Sequence, residues 1–118
     1  MKTILVIEDD ISILRGLKDN LEFEGYAVFT ETNGEKGLKL ALNKKSDLIL
    51  LDIMLPDMSG WDIFEKLRNT KGTKFAFLSA IPVSSERMKE LKKAGVSDYI
   101  TKPFMKDDLI NRIRKILR

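Results

Sequence analysis

The chain contains no cysteine and no histidine. Without cysteine there is no disulfide scaffold, no thiolate nucleophile and no thiolate metal site. Without histidine the commonest general base and nitrogen ligand are missing, and no phosphohistidine can form on this chain. Proline is scarce at 3 residues and aromatics make up 8%, which excludes collagen-like and proline-rich disordered chains. Long apolar runs are missing too. The longest, Ile4 to Ile7 and Leu48 to Leu51, are strand-sized and far short of the ~20 residues that span a bilayer, and no signal-peptide pattern opens the chain. A cytoplasmic protein without membrane contact is the expectation. Reactive chemistry is left to carboxylates, hydroxyls and amines, which work mostly with hard cations such as Mg²⁺ or with phosphate.

What is present fits a single domain over residues 1–118, with 43% hydrophobic and 33% charged residues. The net charge of +3 is unevenly spread: up to Asp62 there are 12 acidic and 7 basic residues, and beyond it 6 acidic and 14 basic. The basic excess falls on helix-like segments (Lys89, Lys92, Lys93; Arg112, Arg114, Lys115, Arg118), where solvated faces explain it better than nucleic-acid binding. The acidic excess is more pointed, because Glu8, Asp9 and Asp10 stand together with no basic neighbour until Arg15.

Strand and helix signals alternate along the chain. TILVIE (Thr3 to Glu8), YAVFT (Tyr26 to Thr30), DLILLD (Asp47 to Asp52), KFAFLS (Lys74 to Ser79) and a short piece at Tyr99 to Thr101 read as strands. Between them, apolar residues recur at helical spacing: Ile11, Leu14, Leu17 and Leu21; Leu38, Ala41 and Leu42; Trp61, Phe64 and Leu67; Met88 and Leu91; and finally Leu109, Ile110, Ile113, Ile116 and Leu117. Asn33 and Ser84 or Ser85 are placed to cap helices, Gly25 and Gly95 to end them, and Pro56 and Gly60 to break the segment after the third strand. Five strands alternating with five helices predict a doubly wound, flavodoxin-like α/β fold with a parallel sheet in the order 2-1-3-4-5.

In such sheets ligands bind at the carboxyl ends of the strands. Those ends carry Glu8, Asp9 and Asp10 after the first strand, Asp52 after the third, Ser79 after the fourth and Lys102 after the fifth. Singly, each has an ordinary explanation as a turn residue, a loop hydroxyl, a surface amine or a helix N-terminus. Jointly they form a complementary set on one edge. Oxygen-only ligands favour Mg²⁺ or Mn²⁺ over Zn²⁺. A cation on Asp9 and Asp52 leaves positions for phosphoryl oxygens. Asp52 can then act as a nucleophile toward phosphorus, with Lys102 and Ser79 stabilising the transferred group as an aspartyl phosphate.

These residues closely resemble the receiver domain of two-component response regulators, over essentially the whole chain. ILVIEDD resembles the family's acidic pair, which falls on Glu8 and Asp9, with Asp10 an extra acid. DLILLDIMLPDMSG resembles the phosphoacceptor segment, placing that role on Asp52 and a backbone-carbonyl metal ligand on Met54. FLSA matches the switch hydroxyl at Ser79 with small Ala80 beside it, and DYITKPF the switch aromatic at Tyr99, the amine at Lys102 and a cis peptide between Lys102 and Pro103. The resemblance implies a phosphorylation switch rather than a turnover enzyme. Its phosphoryl donor is a sensor histidine kinase or phosphotransfer protein, its cofactor Mg²⁺ with Mn²⁺ able to substitute, and its output face the fourth helix, fifth strand and fifth helix.

Several finer expectations follow from it. Apolar Met54 and Ile81 imply a comparatively long-lived phosphoryl group, and Pro82 a stiffened loop. LINRIRKILR and SDYITKPF look most like receivers that precede winged-helix DNA-binding domains and dimerise through that face, with Asp98 and Arg112 as candidate intersubunit ion pairs. This domain itself is not expected to touch nucleic acid. A chain complete at Arg118 would act by docking to a partner; an excised one would lack its output domain. A degenerate, phosphorylation-independent docking module is the alternative. A haloacid-dehalogenase-like phosphatase is disfavoured because its Asp-x-Asp pair would fall on Glu8 and Asp10, and an FMN module because three acids stand where phosphate would bind.

Overall fold

Strands covered by helices on both faces bury every side chain, so runs such as ILVI and LILL are apolar throughout instead of alternating. In the computed structural model, which describes residues 1–118, five parallel strands lie in the order β2-β1-β3-β4-β5. They are β1 (Thr3–Ile7), β2 (Ala27–Glu31), β3 (Leu48–Asp52), β4 (Lys74–Ser79) and β5 (Val96–Thr101), as the doubly wound class requires. Between and after them run α1 (Ile11–Phe23), α2 (Gly34–Asn43), α3 (Gly60–Leu67), α4 (Ser85–Lys93) and α5 (Lys106–Leu117). No helix is long and apolar enough to cross a membrane.

Side chains divide by parity. Ile4, Val6, Leu48, Leu50, Ala76 and Leu78 meet Leu14, Leu17 and Leu21 of α1 and Leu109 and Ile113 of α5. Leu5, Ile7, Ile49, Leu51, Phe75 and Phe77 meet Ile63, Phe64 and Leu67 of α3 and Leu91 of α4. Right-handed crossovers produce this division, since the direction of travel along the sheet reverses after β2. In the second layer Phe64 packs edge-on against Phe75 and Phe77, at 5.2 and 5.7 Å between ring centroids.

The caps follow the expected chemistry. Asn33 and Ser84 accept N–H groups of the first turns of α2 and α4, and Gly25 and Gly95 adopt φ of +98° and +106° just past α1 and α4, a region costly for other residues. Some boundaries and faces differ from the sequence reading. β5 begins at Val96, three residues before Tyr99, because it is an edge strand with a register shift after its first pair that tolerates the polar Ser97 and Asp98. β1 ends at Ile7, one residue before Glu8, and β2 is shifted one residue onward to Ala27–Glu31. Ile11 sits at the exposed mouth of α1. Leu42 is 69% exposed, because α2 lies on the sheet along the stripe Gly34, Gly37, Leu38 and Ala41.

The approach of α2 is unusually close. A Cβ on Gly37 would lie 2.6 Å from Cδ1 of the fully buried Ile7. Gly37→Ala is therefore expected to destabilise the fold by about 1–3 kcal/mol, and Ile7→Val to recover part of that loss in the double variant. Urea denaturation of the four proteins in the cycle measures this coupling.

Candidate functional site

Register brings the polar strand ends together. Ile7 pairs with Leu51, so the next residues, Glu8 and Asp52, emerge side by side; Ser79 pairs with Thr101, so Ser79 ends β4 beside the end of β5, which Lys102 follows. Glu8, Asp52 and Ser79 are buried and Asp9 is exposed beside them. One carboxylate oxygen from each of Glu8, Asp9 and Asp52 lies within 4.8 Å of the others. Asp10, the third acid of the run, is committed elsewhere: its carboxylate accepts the N–H groups of Ser12 and Ile13 and caps α1.

Lys102 reaches into this cluster. Its Nζ is 3.3 Å from Asp52 Oδ2 and in close ion-pair contact with Glu8 Oε1. Burial, and then contact with the Asp52 carboxyl, push the Glu8 carboxyl up to about 7. Burial works against the charge on Lys102, but the neighbouring Glu8 and Asp52 outweigh it and hold the ammonium above its ordinary value. Three carboxylates converging on one point, with no nitrogen or sulfur ligand beside them, fit a hard divalent cation.

The loop from β3 to α3 wraps tightly on Asp52. The Met54 N–H donates to Asp52 Oδ1 (3.1 Å), Met54 bridges to Ser59, and the Gly60 N–H donates to the Ile53 carbonyl (2.8 Å). A Cβ on Gly60 would lie 2.3 Å from the Asp52 carbonyl oxygen, so only glycine permits the return. Met54 is exposed beside the site and Ala80 beside Ser79, and the Lys102–Pro103 peptide is cis.

The expected moving parts are linked through Ile81. Its N–H donates to Ser79 Oγ (3.1 Å), and its carbonyl accepts the Tyr99 hydroxyl (2.6 Å) while the Tyr99 ring is buried in the second layer. Asp98 and Arg112, expected to pair between subunits, pair within one chain at 3.0 Å, because β5 and α5 run side by side; Asp108 shares the guanidinium. Sequence reasoning gave Asp57 no role, yet its carboxylate accepts the N–H groups of Gly34 (2.7 Å) and Glu35 (2.9 Å) at the start of α2. A turn acid after Pro56 was the only signal, and nothing local says which helix it reaches.

The Glu8 shift carries a sign. A raised carboxyl favours the fold fully below about pH 4.5, its ordinary value, and that contribution is lost as pH rises from there through about 7. The loss is on the order of 3 kcal/mol. Denaturation of metal-free protein across this window is expected to show the decline, Glu8→Gln to flatten it, and added Mg²⁺ to offset it by displacing the proton.

A family model described as the response regulator receiver domain matches residues 4–114. Among curated relatives, the transcriptional regulatory protein KdpE of Mycobacterium tuberculosis is 41% identical over 118 residues, covering 100% of this chain and 52% of that protein. The response regulator ArlR of Staphylococcus aureus is 40% identical, covering 100% of this chain and 53% of its own. The chain thus spans about half the length of these relatives. A solved receiver domain protein from Methanospirillum hungatei superimposes with a TM-score of 0.88 at 36% identity, covering 99% of this chain and 94% of that one. The response regulator TrrA of Thermotoga maritima, solved in complex with Mg²⁺ and BeF, gives a TM-score of 0.83 at 35% identity, covering 99% and 100%. With fold, strand-end chemistry and both kinds of similarity in agreement, the chain belongs to the response regulator receiver domain family, whose general function is a phosphorylation-activated switch.

Proposed function

We propose that Asp52 accepts a phosphoryl group from a phosphohistidine of a sensor kinase or phosphotransfer protein, and that the resulting change in Ser79 and Tyr99 alters the face formed by α4, β5 and α5. The observation that carries this reading is the buried Asp52 carboxylate with Lys102 Nζ at 3.3 Å and two further acids converging on it. Glu8, Asp9, Asp52 and the Met54 backbone carbonyl would hold Mg²⁺, or Mn²⁺ in its place. When bound, the cation neutralises the crowded carboxylates and the phosphoryl oxygens.

An Asp52 oxygen attacks phosphorus, the P–N bond to the donor imidazole breaks as the P–O bond forms, and the departing imidazole takes up a proton. Lys102 offers its ammonium to the transferred oxygens, and the Ser79 hydroxyl donates to them. The Ser79 oxygen accepts the Ile81 N–H in this structure, so an inward turn of Ser79 toward the phosphoryl group breaks that bond. The Ile81 carbonyl anchors the Tyr99 hydroxyl, so a shift at Ser79 reaches the ring through one residue. A hollow of about 250 Å³ beside Lys102, lined by Ile13, Leu17, Pro103 and Phe104 among others, offers an apolar flank for the donor protein.

The group ends on the protein's own carboxylate, which makes the chain a switch and not a turnover enzyme. Homodimerisation falls on the same α4-β5-α5 face, where Arg112 would exchange Asp98 of its own chain for the partner's acids. The relative KdpE is a transcriptional regulatory protein, and control of transcription is the output this reading assigns to the whole protein.

Intact mass after incubation with acetyl phosphate tests the chemistry. A single Mg²⁺-dependent phosphoryl adduct is expected on the wild type and none on Asp52→Asn; no adduct on either would favour a phosphorylation-independent docking module. Apolar Met54 and Ile81 flank the site without a group to orient water, so the adduct is expected to be comparatively long-lived. Following its decay by mass, Met54→Asn should shorten that lifetime, and rapid decay unchanged by the substitution would overturn the point.

A further inference from the structure

We propose that Asp57 is a positioning residue: by clamping the loop after β3 onto the first turn of α2, it sets the affinity of the carboxylate site for Mg²⁺. This rests on the reading of Glu8, Asp9, Asp52 and the Met54 carbonyl as the cation's ligands. Besides the Met54–Ser59 bridge and the packing of Leu55 and Met58 against the second layer, Asp57 is what ties the outer part of the loop to α2. Met54, Pro56 and Asp57 are exposed and Leu55 and Met58 only half-buried, whereas both Asp57 oxygens are engaged, Oδ1 by the Gly34 N–H at 2.7 Å and Oδ2 by the Glu35 N–H at 2.9 Å. These hydrogen bonds, from Glu35 and then Gly34, hold the Asp57 carboxyl below the usual carboxylate range, so the clamp is ionised and charge-assisted at neutral pH.

The clamp is more than a helix cap. α2 has its own: the Asn33 side chain accepts the Lys36 N–H at 2.9 Å, and the Asn33 carbonyl accepts the Gly37 N–H at 3.1 Å. What Asp57 adds is a join between two elements that meet too closely for a side chain. A Cβ on Gly34 would lie 2.3 Å from Met58 Cγ and 3.2 Å from Asp57 Oδ1.

Both ends of this join lead to the acids. α2 rests through Gly37 on Ile7, the residue before Glu8. The loop, from Asp57 back to Met54, rests on Asp52 through the Met54 N–H and the Gly60 return. Helix α2 is therefore a strut between the end of β1 and the loop after β3, and Asp57 is the joint that closes it. Freed of that joint, the loop can drift from β1, and the Met54 carbonyl with it. Outer partners that orient metal ligands commonly govern affinity by about 10–100-fold.

Mg²⁺ alone, titrated calorimetrically into the metal-free chain, measures the effect, with urea denaturation as the control for folding. Asp57→Ala is expected to weaken Mg²⁺ binding about tenfold. Asp57→Asn, which keeps one acceptor, should retain part of the affinity. Gly34→Ala, acting from the opposite side of the joint, should reproduce the loss. Labelling of Asp52 by acetyl phosphate should fall at limiting Mg²⁺ and recover when Mg²⁺ is in excess. Unchanged Mg²⁺ affinity in variants whose stability falls would reduce Asp57 to a cap and overturn the proposal; should Asp57→Ala not fold, Asp57→Asn and Gly34→Ala decide it in the same way. A wild type that binds Mg²⁺ but takes no phosphoryl group would overturn the phosphoacceptor reading and leave Asp57 standing, whereas one that binds no Mg²⁺ overturns both.

Discussion

Like charges crowded at the end of a sheet buried on both faces are the constraint from which the rest of this structure follows. Acceptor-only carboxylates would separate in water, but parallel register places Glu8 directly beside Asp52 because the residues before them are paired. Glu8 has no exposed surface, so water cannot screen it. Three kinds of partner relieve the crowding: a proton, the Lys102 ammonium, and a divalent cation. Each has a different reach, and the balance among them defines what the site can hold. A phosphoryl group on Asp52 would change that balance by adding negative charge beside the Lys102 ammonium.

The double-sided burial was legible because a strand with no polar face has no other simple explanation, and each apolar run ended in the polar residue that mattered: Glu8, Asp52, Ser79. Helix starts at Asn33 and Ser84 were legible because caps are local. Contacts between distant segments were not. Asp57 reaches across 22 and 23 residues to α2, and Arg112 finds Asp98 across 14, so neither partner is written in the neighbouring residues. Periodicity also misplaced Ile11 and Leu42, since a helical stripe shows which residues share a face and not where the sheet beneath it ends. Ser97 and Asp98 concealed the start of β5 because an edge strand does not need apolar residues throughout.

The division of charge along the chain acquires a spatial meaning. The acidic first half supplies the strand ends of β1 and β3, and the basic second half supplies Lys102 together with the solvated lysines of α4 and the arginines of α5. Several of those cations have local work: Arg68 donates to the Ala94 carbonyl at the end of α4, Lys74 to the Ile116 carbonyl at the end of α5, and Arg114 pairs with Glu24. These three cations thus serve helix ends and surfaces.

Ile81 occupies an unusual place, with its N–H held by the Ser79 hydroxyl and its carbonyl by the Tyr99 hydroxyl. Two events coupled through one residue are thermodynamically linked, and linkage runs in both directions. Whatever factor phosphoryl transfer contributes to the affinity of a partner for the Tyr99 face, that partner returns to the phosphorylated state. A protein bound at that face would thereby act as an effector of the carboxylate site without approaching it, and information would flow inward along the path by which it leaves.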